Sequence, residues 1–101
     1  MRIKLSEYGT TLGPRVLGVK IKDEVLGKIN SEQEIIFDMS GLKSLSTGFS
    51  KELFGELYIE LGVVFKDKVK FKFDNAENNE RLLNIINRGI SSSIQNHKNK
   101  N

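Results

Sequence analysis

The chain of 101 residues has no cysteine, one proline and one histidine. Without cysteine, a disulfide framework, a Cys-based metal site and a thiol nucleophile are all excluded. No apolar run approaches the roughly 18 residues of a membrane span. The opening MRIKLSEYG also lacks an apolar signal region, so a cytoplasmic protein without a membrane segment is expected. Charge of one sign is scarce too: 16 basic and 13 acidic residues leave a net +3. So mild a balance gives no reason to expect nucleic acid. Hydrophobic residues make up 38% of the chain, an ordinary value for a globular protein, and the length allows one core. A single domain over 1–95 is expected, with a disordered polar tail over 96–101.

The same scarcity bears on catalysis. His97, the lone imidazole, falls in the polar end of the chain, where neither its geometry nor its environment is fixed. The carboxylates show no metal-ligand spacing, and GTTLG at 9–13 lacks the Gly-Lys-Ser/Thr ending of a phosphate-binding loop. A non-enzymatic domain with no cofactor and no metal is the expectation.

What is present is an alternation of patterns. RIKL at 2–5 reads as a short strand and GTTLGP at 9–14 as turn chemistry. Pro14 suits the first turn of a helix whose apolar face carries Val16, Leu17, Val19, Ile21, Val25 and Leu26, with Gly27 as its end. EIIFDM at 34–39 is a continuous apolar run, the pattern of a central strand covered on both faces. SGLKSLSTG at 40–48 reads as a loop. From Phe49 to Leu61, Phe49, Leu53, Phe54, Leu57, Tyr58 and Leu61 share one side of a helix that Gly62 closes. KVKFKF at 68–73 alternates strictly. Asp74 or Asn75 can cap a third helix carrying Leu82, Leu83, Ile85, Ile86 and Ile90. Strands alternating with helices predict an α/β fold with a short, mainly parallel sheet and helices packed on it.

In such a sheet, function gathers beyond the C-terminal strand ends, where Asp38 and the 40–48 loop lie. Ser46 or Thr47 can cap the following helix, and the free amides there favour an anion. A phosphate on a hydroxyl at this spot would add roughly −1.5 to −2 charge to any surface that includes the loop. Plain capping is the simpler account of the hydroxyls, because such residues precede helices everywhere.

FDMSGLKSLSTGFSKELFGELYIELG at 37–62 resembles the middle of the STAS-like domain family of unknown function. The shared features are an apolar strand ending in Asp-x-Ser-Gly, a hydroxyl-rich loop, and Phe-Ser-Lys-Glu-Leu opening a helix that ends in Leu-Gly. Upstream, GTTLGPRVLG resembles that family's entry to its first helix, with Gly13 and Arg15 in matching places. The family is related to the STAS domains of bacterial anti-sigma factor antagonists. The resemblance implies a small STAS-like module that binds a protein and is not a catalyst. It implies a partner of the histidine-kinase-like ATPase type, or a regulator controlled by one, docking where this helix starts and releasing on phosphorylation there. Laid on from the strand Asp, the antagonists' Asp-Ser-Ser-Gly-Leu motif puts its acid at Ser46 and its phosphoacceptor at Thr47. The next Ser falls on Gly48 and the Gly on Phe49, so the acid is absent and one hydroxyl matches. Ser44, Ser46, Thr47, Gly48, Phe49 and Ser50 are the expected partner surface, with Asp38, Arg15 and Glu52 in support.

Arg15 stands in a first helical turn, where the dipole disfavours a cation. It is expected to pair with Asp38 or Glu52, or to meet a partner. Two rival readings have their own residues. Lys66, Lys68, Lys70 and Lys72 alternate as a basic stripe for a nucleic-acid accessory domain, though no aromatic shares their side. Asp38, Thr47 and Arg15 converging in one pocket would make an enzyme. The oligomeric state is not set by the sequence.

Overall fold

The computed structural model describes residues 1–74 and 76–99. Three parallel strands, β1 (Arg2–Lys4), β3 (Ile35–Asp38) and β5 (Val69–Lys72), form the main sheet in the order β1-β3-β5. A second pair, β2 (Thr11–Leu12) and β4 (Ser44–Leu45), is also parallel and lies within segments the sequence reads as turn and loop. The helices are α1 (Arg15–Lys28), α2 (Thr47–Ser50), α3 (Glu56–Leu61), α4 (Val64–Lys68) and α5 (Ala76–Lys98). A π-helical turn over Lys51–Gly55 joins α2 to α3, so 47–61 is one continuous rod.

Strands added in one direction, with right-handed crossovers, put both crossing segments on the same face of the sheet. Register bears this out. Ile3, Phe37 and Phe71 form one row, and Ile35 pairs with Val69 in the next row on that face. All five belong to the core or pack against it. Phe37, Phe54 and Phe71 meet there with centroids 5.1, 5.3 and 5.8 Å apart and tie the sheet to the rod. Phe49, Leu53, Phe54 and Leu57 are fully buried, as their helical phase predicts, and Gly62 ends the rod at φ +56°.

The helix layer is held by close glycine crossings. Gly18 of α1 lies against the Phe49 carbonyl, and Gly55 of the π turn against Gly89 of α5. Hydroxyls stitch the second crossing in both directions: Ser50 donates to the Ile85 carbonyl at 2.9 Å and Ser93 to the Lys51 carbonyl at 3.2 Å. Gly27 differs, for it lies inside α1 with nothing within 4 Å of an added Cβ and does not end the helix. Gly27→Ala therefore stabilises the domain by about 0.5–1 kcal/mol, through backbone entropy alone, and an upward shift of the urea midpoint checks it.

Several expectations need correction. β3 is central but not covered on both faces, because Ile36 points away from the helices and is half-buried. Val16 is 80% exposed and Leu83 43% exposed; neither joins the core, since α1 and α5 each bury a narrower stripe. Lys66 and Lys68 belong to α4, and Lys68 donates to the carbonyls of Ile29 and Glu32 at 2.7 and 3.0 Å. The four-lysine stripe does not form; only Lys70 and Lys72 alternate on β5. Residues 96–98, read as tail, continue α5, and His97 Nε2 reaches Glu56 at 3.4 Å. Asn75, a proposed cap, and residues 100–101 of the tail lie outside the described residues.

Candidate functional site

The short β2–β4 pair positions the loop before the rod. Lys43 N–H donates to the Thr10 carbonyl and Ser46 N–H to the Leu12 carbonyl, both at 2.8 Å. Ser46 is the N-cap: its hydroxyl accepts the Phe49 N–H at 2.9 Å and donates to the Gly13 carbonyl at 2.8 Å. Both hydrogen-bonding roles of that oxygen are engaged, which welds the loop to the entry of α1. On its other side the loop is tied to α5, where Asn78 donates to the Leu42 carbonyl at 2.8 Å and Arg81 to the Lys43 carbonyl.

Thr47 follows as the first residue of α2 and is exposed. The Arg15 side chain lies across Gly48, so closely that a Cβ there would sit 2.8 Å from the guanidinium Nε. Arg15 remains 64% exposed and pairs with Glu52 at 3.6 Å. Glu52 also meets Lys51 at 3.6 Å, so one carboxylate stands between two cations. Of the two partners expected for Arg15, the fold selects Glu52. Val16, the one large exposed apolar side chain of α1, stands nearly opposite Gly18 in helical phase and so faces away from the rod.

Two of the expected surface residues are not on the surface. Phe49 and Ser50 are both fully buried, Phe49 among the core side chains and Ser50 on the α5 backbone. Ser44 is half-buried within β4. Of the six, Thr47 is exposed and Ser46 and Gly48 are half-buried; with Arg15 and Glu52 they make one accessible patch.

Asp38 belongs to a separate constellation. Its Oδ1 accepts the Ser40 hydroxyl at 2.6 Å and the Ser40 N–H at 2.9 Å, while Oδ2 accepts Arg2 Nη2 at 2.7 Å. The Ser40 hydroxyl and Arg2, then the Ser40 amide, hold its carboxyl well below the usual carboxylate range, against the opposing effect of burial. No hydrogen bond or ion pair joins Asp38, Thr47 and Arg15 among the described residues; each has its own surroundings. Arg2 was missed as the partner of Asp38, and nothing local signals it, because the two are 36 positions apart. The Glu56–His97 pair escaped notice for the same reason.

Parallel strands β1, β3 and β5, helices gathered on one face, and a capped helix start beyond the strand ends define a small α/β domain with a presented loop. A family model described as a STAS-like domain of unknown function matches residues 18–87, and the chain belongs to that family. No curated protein and no solved structure matches the chain. Among the described residues, no helix is long and apolar enough to cross a membrane.

Proposed function

We propose that the domain is a non-catalytic regulatory module that docks a protein partner through the start of the 47–61 rod. The partner class we favour is a histidine-kinase-like ATPase, or a regulator controlled by one. The observation that carries this reading is the exposed Thr47 hydroxyl at a loop tip fixed on both flanks, with Arg15 lying across the next residue. Rigid presentation lowers the ordering cost of binding. The patch itself mixes an exposed hydroxyl, a cation and a carboxylate on an open surface, which suits a macromolecular partner better than an enclosed small-molecule pocket.

A phosphate on Thr47 would stand near the Arg15 guanidinium and compete with Glu52 for it. The absent acid at 46 is compatible with such a switch, because Ser46 holds the cap and Arg15 supplies the neighbouring charge. Purified candidate partners, beginning with the products of neighbouring genes, provide the test. Thr47→Glu and Arg15→Glu are each expected to weaken capture at least about tenfold, or about 1.4 kcal/mol, with the fold intact by circular dichroism. Undiminished capture by a folded Thr47→Glu protein would remove the phosphate switch. Undiminished capture by both variants would remove this surface.

A further inference from the structure

An all-parallel sheet is almost always covered on both faces, because its crossovers put helices there. Here the crossovers cover one face only. The other presents two rows, Arg2–Ile36–Lys70 and Lys4–Asp38–Lys72, each spanning β1, β3 and β5. Lys4, Lys70 and Lys72 are exposed, and the Arg2 side chain is 53% exposed. Lys70 Nζ donates one hydrogen bond to the Lys66 carbonyl. Strand spacing and rise set the Cα atoms of these four residues at the corners of a rectangle about 10 Å by 7 Å. The only carboxylate in these rows, Asp38, is paired with Arg2 and hydrogen-bonded by Ser40, which leaves Lys4, Lys70 and Lys72, among the described residues, as the uncompensated charges of the two rows. Ile36 occupies the middle of one row.

We infer that this open face takes an acidic segment of a protein partner. The segment would lay one apolar side chain on Ile36 and carboxylates against the flanking cations. Charge complementarity selects an acidic occupant. The central Ile36 favours protein over nucleic acid, since an apolar centre within a charged rim is the anatomy of a protein interface. Base stacking has no platform here: Phe37 and Phe71 lie in the row that faces the helices. The inference is independent of the Thr47 surface, which lies on the opposite, helical side of the loop region and shares none of these residues.

The experiment titrates the full chain at low salt with a short fluorescent peptide in which Glu alternates with Leu. A Gln-for-Glu version and an oligothymidylate of equal charge are the comparison probes. Saturable binding of the Glu peptide is expected, with backbone amide shifts centred on Ile36, Lys70 and Lys72. Lys70→Glu/Lys72→Glu should weaken it at least about tenfold with an unchanged unfolding midpoint, and Thr47→Glu should leave it unaltered. Failure of the Glu peptide to bind, or equal binding of the Gln peptide, would overturn the inference. So would undiminished binding by the double variant. Tighter binding of oligothymidylate than of the Glu peptide would overturn it in favour of a phosphodiester ligand.

Discussion

Gly89→Ala is expected to destabilise the domain by about 2–3 kcal/mol, although alanine is the better helix former by about 1 kcal/mol. The added Cβ would fall 2.3 Å from the Ser50 hydroxyl, 2.6 Å from the Ser50 carbonyl carbon and 2.7 Å from the Lys51 nitrogen. Two of those three atoms are backbone and cannot swing aside. The third, the hydroxyl, is committed to the Ile85 carbonyl at 2.9 Å and gives up a buried hydrogen bond if it rotates. Relief therefore requires α5 to move off the π turn. That in turn strains the reciprocal contact, where Gly55 faces the Gly89 carbonyl and Ser93. Urea unfolding checks the outcome: the midpoint should fall with an unchanged slope, against the rise expected for Gly27→Ala. A Gly89→Ala midpoint equal to the parent's would mean that the two helices do not cross this closely.

That contrast also shows which parts of the fold were legible. Phe49, Leu53 and Leu57 repeat at helical spacing, and Val69 and Phe71 alternate, so the core faces of the rod and of β5 are local properties of the chain. The order of strands and helices follows from them. The β2–β4 pair was not legible, because each strand has two residues and exists only through a partner more than 30 positions away. Gly18, Gly55 and Gly89 are where helices meet, and spacing within one helix cannot reveal what lies opposite.

The candidate site divides in the same way. A cap at Ser46 or Thr47 was readable from the hydroxyls before an apolar helical run; the fold uses Ser46 and leaves Thr47 exposed. The helical phase of Phe49 already assigned it to the core, so its inclusion in a partner surface came from the family motif and conflicted with its own periodicity. The burial of Ser50 had no local signal, since its acceptor is contributed by α5. The lysines at 66 and 68 continue the alternation of 70 and 72 in sequence, yet Phe65, packed against Tyr58 with centroids 5.4 Å apart, turns their segment into α4. Tertiary packing there overrode a period of two.

Asp38→Asn is expected to cost about 2 kcal/mol at neutral pH, through loss of charge-assisted hydrogen bonds from Arg2 and Ser40 at a side chain only 5% exposed. Its pH dependence carries the stronger test. The folded-state carboxyl is held far below the value of about 3.9 that an aspartate has in an unfolded chain. A depressed folded pKa means that the unfolded chain takes up the proton first as acid is added. The contribution of Asp38 is therefore fully present above about pH 4 and falls as pH drops toward the folded value, by about 1.4 kcal/mol per pH unit once the unfolded group is protonated. The stability gap between the parent and Asp38→Asn should be level from pH 7 to pH 5 and mostly closed near pH 2.5. Urea unfolding of both proteins across that range measures it. A gap that stays constant through acid would show that the carboxylate owes nothing to Arg2 and Ser40, and that β3 ends on geometry alone.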